Sequence, residues 1–360
     1  MAGPLSGTTI IELGSIGPGP FCCMMLADHG ARVIRVERPG TAIDPKDVLL
    51  RSREIVFLDL KNAGDQDVLM RLIETSSALV EGMRPGTLER LGIGPERLLA
   101  ANPGLVIGRM TGWGQEGDYA RWAGHDINYV ALTGALHAIG PAEHPVPPLA
   151  LVGDFGGGGM MLAFSLTAAI MHVRSGGAGQ VIDCAMTDGA SLLMAPFYSY
   201  LAAGWWKDQR QSNMIDGGTH FYGVYETADG KFISVGAIEP QFYSLFLEKL
   251  GVADDVSFAD QMDEAAWPAL REKVAAIFRS RTRSEWCDLL EHSDVCFAPV
   301  LSLTEAPEHV HNRSRGTFVN AFGVMQPRPG PRYSCTQLDE PRAAREISLD
   351  SLLAPASARS

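Results

Sequence analysis

Residues 8–37 constrain the fold more than any other stretch. Thr8 to Leu13 is a run of mostly β-branched residues that stops at Gly14, and Gly17-Pro18-Gly19-Pro20 leads into an apolar stretch with helical spacing from Phe21 to Gly30. Then Ala31-Arg32-Val33-Ile34-Arg35-Val36-Glu37 reads as a second strand. A strand, a helix and another strand imply a parallel crossover, because two strands joined through a helix cannot form a hairpin. The chain therefore opens as an α/β domain. Glu37 stands roughly where a ribose-binding acid would lie in a dinucleotide-binding unit. However, the glycines are spaced GxxGxG, and Pro18 and Pro20 lack the N–H groups that a phosphate would need. A nicotinamide cofactor is not expected.

Ser76-Ser77-Ala78-Leu79-Val80-Glu81-Gly82, Leu105–Gly114 and Gln180–Met186 add strands, so a large Rossmann-like α/β domain is expected over 1–185. A chain of 360 residues has room for roughly two domains. A helical linker follows over 186–218. His220–Thr227 and Lys231–Ile238, joined by Ala228-Asp229-Gly230, read as a hairpin. Helices are expected over Phe242–Leu250, Glu264–Arg279 and Ser284–His292, with Thr282 and Glu285 in capping-box spacing, before an extended Asp294–Leu303. These make 219–305 a small α+β domain. A return linker over 306–324 leads to a tail, 325–360, that rejoins the large domain. No internal repeat is visible.

A net charge of −12 argues against a general nucleic-acid binder. No lysine or arginine precedes Arg32, and no signal-peptide core is present, which sets the expectation of a cytoplasmic protein. The longest apolar run, Met160–Val173, is shorter than the roughly 20 residues a membrane span needs and reads as a buried helix. The six cysteines have no CxxC spacing and are expected as reduced core residues, with no metal site.

The chemistry concentrates in residues 123–159. His125 and Asp154 each follow a glycine and precede an apolar segment with helical spacing, which places both at helix starts. Either alone could be part of an ordinary cap. Together, two different bases beside free N–H groups suggest a carbon acid that passes its proton between two faces. The run Gly156–Gly159 is costly in a helix and suggests backbone that closely approaches a ligand. Arg38 closes the second strand, Arg51 and Arg53 follow, and Arg84 and Arg90 lie near the end of the next apolar run. Arginines repeated at strand ends of an acidic chain suit the phosphates of a ligand.

Taken together, IELGSIGPGPFC, MLADHGARVIRVERPG, EGMRPG, ERLGIGP, MTGWGQ, AGHDINY, GDFGGG, GQVID, NMIDGG and VGAIEPQFY resemble the α-methylacyl-CoA racemases, within the family III CoA-transferase fold. The resemblance covers nearly the whole chain. It implies an interlocked homodimer in which the large domain of one subunit and the small domain of the other enclose each site. It implies a 2-methylacyl-CoA substrate with His125 and Asp154 as bases on opposite faces of the α-carbon. Glu239 would orient His125, and the N–H of Asp126 would meet the thioester oxygen of an enolate. Arg38, Arg51 and Arg90 would hold the CoA phosphates. No cofactor beyond the CoA of the substrate is implied. Relatives commonly read PPLNL where this chain has PPLAL, so Ala150 removes a polar group near Asp154. Two rivals remain: a CoA-transferase with Asp154 as nucleophile, and a catalytically silent acyl-CoA-binding protein.

Overall fold

The computed structural model describes residues 3–353. In chain order the strands of the first half are β1 (Thr9–Leu13), β2 (Arg32–Glu37), β3 (Arg53–Phe57), β4 (Ala78–Glu81), β5 (Val106–Thr111) and β6 (Gln180–Ala185). There follow β7 (Tyr222–Glu226), β8 (Phe232–Gly236), β9 (Phe297–Pro299), β10 (Phe318–Ala321), β11 (Val324–Pro327) and β12 (Arg345–Glu346). The chain divides into two compact units. The first holds the residues up to Thr133, Leu149–Met194 and those from His311 onward; the second holds Gly134–Pro148 and Ala195–Val310. The first unit thus runs to Met194 and resumes at His311, where boundaries near 185 and 325 were expected, and Gly134–Pro148 groups with the second.

In the first unit, seven strands form one parallel sheet in the order β12-β3-β2-β1-β4-β5-β6. Its central strands read as nearly unbroken apolar runs because helices bury both faces. Alternation along the strands divides the core. Ile10, Val33, Val80 and Val106 pack with Leu162, Leu166 and Ile170, whereas Ile11, Ile34, Leu79 and Ile107 pack with Leu69, Leu72, Ile73 and Leu98 on the other face. The first crossover helix begins at Pro18, three residues before the expected Phe21. A proline fits the first helical turn because its missing N–H would have had no intrahelical acceptor.

The sheet also buries charge. Glu12 lies opposite Arg35 in the β1/β2 register and accepts from it and from Arg53 Nε at 2.8 Å. Glu81 lies opposite Arg109 and accepts from its Nε at 2.8 Å. Each carboxylate is thereby paired, the condition for burying it at tolerable cost. Cys22, Cys23 and Cys184 are buried as expected, but Cys296 and Cys335 are exposed; all six thiols are free.

The second unit packs an antiparallel β7-β8-β9 sheet against Pro240–Leu250, Trp267–Phe278 and Arg283–Leu290. Its turn and cap follow the sequence reading. Gly230 takes φ 68° in the hairpin, and Thr282 and Glu285 exchange backbone-to-side-chain bonds of 2.8 and 3.3 Å.

Candidate functional site

β1 is the point where the sheet turns in two directions, with β2 and β3 built to one side and β4 to β6 to the other. Parallel sheets bind ligands in the crevice outside the carboxyl ends of the strands at such a reversal. The loops leaving β1 and β4 meet there. A Cβ added to Gly82 would lie 3.1 Å from Ser15 Cβ, and Arg35 Nη2 donates to the Ser15 carbonyl at 2.9 Å, tying that loop to the buried charge row. Ser15 Oγ, Trp113 Nε1 and Gln115 Nε2, on the loops that leave β1 and β5, are buried with no hydrogen-bond partner among the described residues. Such groups are rare in folded proteins, and a bound ligand or water would satisfy them.

Asp154 faces this crevice. A Cβ on Gly17, which takes φ 68°, would come within 2.9 Å of Asp154 Oδ2, so only glycine lets the loop lie against the carboxylate. The aspartate lies in the first turn of a helix, as the sequence suggested, but the helix is of an unexpected kind. Asp154 is the fourth residue of a ten-residue π-helical segment, Leu151–Met160, that continues into the α-helix Met161–Arg174. π segments are rare and concentrate at functional sites. Ala150 takes the N-cap position, where it has no side-chain acceptor to offer the free N–H groups.

The glycine run follows from packing. A Cβ on Gly157 would meet Ala190 N at 2.5 Å, one on Gly158 would meet Met186 Cγ at 2.9 Å, and one on Gly159 would meet Phe21 Cδ1 at 2.7 Å. The run closely approaches two neighbouring helices, where the sequence had suggested a ligand.

The combined helical stretch Leu151–Arg174 is 24 residues long and, by length and composition alone, apolar enough to cross a membrane, longer than the expected Met160–Val173 run. Its apolar window is 44% buried, and Leu151, Met160, Phe164 and Met171 are exposed in the isolated chain.

His125 caps the helix Asp126–Ala131, as its sequence context suggested. Its N–H donates to Asn128 Oδ1 at 3.0 Å, and its carbonyl accepts from Asn128 N at 2.8 Å. Tyr129 anchors this segment. Its ring fills the space that a Cβ on Gly112 or Gly124 would occupy, lies edge-on to Trp113 at 4.8 Å, and its hydroxyl donates to the Gly124 carbonyl. The AGHDINY stretch contained both Tyr129 and Gly124, but only their contact and the one to Gly112 reveal the role of the ring. Asp126 offers its N–H at the first helical position, where no intrahelical acceptor exists. Its carboxylate accepts the Asp154 N–H at 2.8 Å. Burial first, and then the negative charge of Asp126, push the Asp154 carboxyl up to about 6, while His125 opposes the rise.

The arginines separate into two groups. Arg84 and Arg90 line a cleft of about 540 Å³ with Arg109, Arg121 and Gln115. Arg109 is committed to Glu81 and Glu89, whereas no ion pair is recorded for Arg84, Arg90 or Arg121 among the described residues. Arg38 is exposed at the carboxyl end of β2, on the same edge of the sheet.

Arg51 is different. It is buried, and its guanidinium donates to both Asp28 oxygens, to Gln326 Oε1 at 3.1 Å and to the Pro327 carbonyl at 2.7 Å. With four N–H bonds made inside the protein, it ties the first helix to β11 and has little left for a phosphate. Glu239 lies in the second unit, exposed at the start of Pro240–Leu250, and no side-chain hydrogen bond is recorded for it among the described residues.

Known proteins bear out the family resemblance. The family model for CoA-transferase family III matches residues 5–344. An α-methylacyl-CoA racemase of Mus musculus is 43% identical over 347 residues, covering 96% of this chain and 90% of that protein. An α-methylacyl-CoA racemase of Homo sapiens is 44% identical over 329 residues, covering 91% and 86%. A crystal structure of a CAIB/BAIF family protein from Brucella suis superposes with a TM-score of 0.81 over 96% of this chain and 97% of that one, at 24% identity, which speaks for the fold.

Proposed function

Because the chain belongs to CoA-transferase family III, we propose that it is a racemase interconverting (R)- and (S)-2-methylacyl-CoA thioesters by proton transfer through an enolate. The observation that carries this reading is the pairing of two unlike bases at the sheet reversal: His125, and an Asp154 whose carboxyl is held at about 6. A carboxyl tuned toward neutrality can take a proton and return it, which a two-base exchange requires in both directions. The racemase names of the two mammalian relatives agree with it. In the proposed cycle one base removes the α-proton, the Asp126 N–H meets the developing thioester oxygen, and the other base protonates the opposite face.

Arg38, Arg84 and Arg90 would hold the phosphates of CoA, Arg51 being committed inside the fold. The reaction calls for no cofactor beyond the CoA of the substrate. The functional form would be an interlocked homodimer in which Glu239 of the partner subunit orients His125. The exposed apolar residues of Leu151–Arg174 support this, since an uncovered patch of that kind ordinarily marks an interface.

Either enantiomer, incubated with the protein in deuterated water, is expected to take up deuterium at the α-carbon and reach a mixture of both forms by chiral analysis. Acyl transfer to an added carboxylate without α-exchange, or an acyl group trapped on Asp154 by hydroxylamine, would replace the racemase with the transferase.

A further inference from the structure

The carboxylate of Asp126 joins the two base-bearing segments. It belongs to the residue after His125, and its Oδ1 accepts the N–H of Asp154 at 2.8 Å. The contact is a close one. A Cβ on Gly153 would fall 2.3 Å from that same oxygen, so the carboxylate lies over the Gly153-Asp154 peptide and only glycine at 153 admits it. We propose that the Asp126 side chain is a positioning residue, which clips the His125 helix start to the Asp154 peptide and sets both the separation of the two bases and the charge beside Asp154.

The inference rests on the reading of Asp154 as an acid/base. It assigns to the side chain of Asp126 a role separate from that of its backbone N–H. The hydrogen bond makes the two segments move together, although they are 28 residues apart in sequence. A displacement of about 1 Å in such a pair can cost on the order of 100-fold in rate. The charge acts as well. After burial, Asp126 is the larger influence raising the Asp154 carboxyl, with His125 lowering it, and Tyr129 in turn is raised by burial and then by Asp154. The other acidic and basic side chains on elements packed against the π segment are Asp28, Asp183, Asp188, His172 and Arg174, and the influences named at Asp154 are burial, Asp126 and His125.

Two substitutions in the full-length protein separate the roles. Asp126→Asn keeps an acceptor for the Asp154 N–H and removes the charge, whereas Asp126→Ala removes both. The probe is the Asp154 carboxyl resonance in carboxyl-¹³C-aspartate protein, assigned by its loss in Asp154→Asn. It should titrate near pH 6 in the parent and at lower pH in Asp126→Asn. Asp126→Ala should lose on the order of 100-fold in kcat, with KM changed much less.

Coincident titration curves for the parent and Asp126→Asn would overturn the electrostatic role, and an unaltered kcat in folded Asp126→Ala would overturn the positioning role. If Asp126→Ala did not fold, Asp126→Asn would still decide the electrostatic role, because a merely structural carboxylate would leave the Asp154 titration where it was. Asp126→Ser, which is too short to keep the bond, would then take the place of the alanine variant in the kcat test of positioning. Absence of α-proton exchange in the parent would instead sink the racemase reading and leave the titration result standing.

Discussion

Asp154 is held partly neutral by its surroundings, and this has a cost that can be measured. Its carboxyl is raised from 3.8 to about 6 by burial and by Asp126, so the fold favours the protonated form. The destabilisation is absent below about pH 4, grows as pH rises through that interval, and is complete above about pH 6. The full rise would correspond to roughly 3 kcal/mol, and screening of this half-buried group reduces it to about 1 kcal/mol. Asp154→Asn is therefore expected to raise Tm at pH 7 and leave it unchanged near pH 4, while losing most racemisation, the trade expected where a strained site serves activity. An equal Tm effect at both pH values would show that charge is not the cause. The same scale explains what the sequence could and could not convey. His125 and Asp154 were visible because glycine and helical spacing mark them locally. Arg51 was not, since Asp28 and Gln326 stand 23 and 275 residues away and nothing near Arg51 announces them. The tuning of Asp154 by Asp126 was hidden for the same reason.

Among the elements, five of the seven parallel strands were legible, whereas β3, β12 and the π segment were not. A strand buried on both faces has to be apolar along its length, so β1, β2, β4 and β5 announce themselves despite their paired charges. The π segment is dictated by what lies against it, chiefly Met186–Leu193 and Pro18–Asp28, and four consecutive glycines fit equally well with a ligand contact or a helix contact. Gly189 tests the helix contact. Alanine in the middle of a helix ordinarily gains about 1 kcal/mol over glycine. Here a Cβ would stand 1.8 Å from the Gly157 carbonyl oxygen, a backbone atom that cannot rotate aside. Overpacking of this kind costs about 1–3 kcal/mol or more, which outweighs the propensity gain. Gly189→Ala is expected to lower Tm in thermal unfolding and to reduce kcat by shifting the segment that carries Asp154. An unchanged or higher Tm would mean that the two helices are not pressed together as described.

For the whole molecule, the proposed role of Glu239 depends on how the chain assembles. His125 and Asp154 belong to the first unit and Glu239 to the second, and no partner is recorded for the Glu239 side chain among the described residues. The proposed interlocked dimer would supply Glu239 from the partner subunit, and it would offer cover to Phe164 and Met171, which one chain leaves 77% and 64% exposed. The proposal makes a specific demand on mixed dimers. If one chain carries His125→Ala and the other Glu239→Ala, both lesions fall in one site and the second site is intact. Interlocked chains exchange slowly once folded, so the two variants would be co-expressed with different tags and the hybrid purified through both. Independent sites should then give about half of the parent activity, far above either homodimeric variant, because lesions confined to one site leave the other uncoupled. Activity no higher than the average of the two homodimers would place His125 and Glu239 of the same chain together, or show that they never meet, and the trans-assembled site would have to be given up.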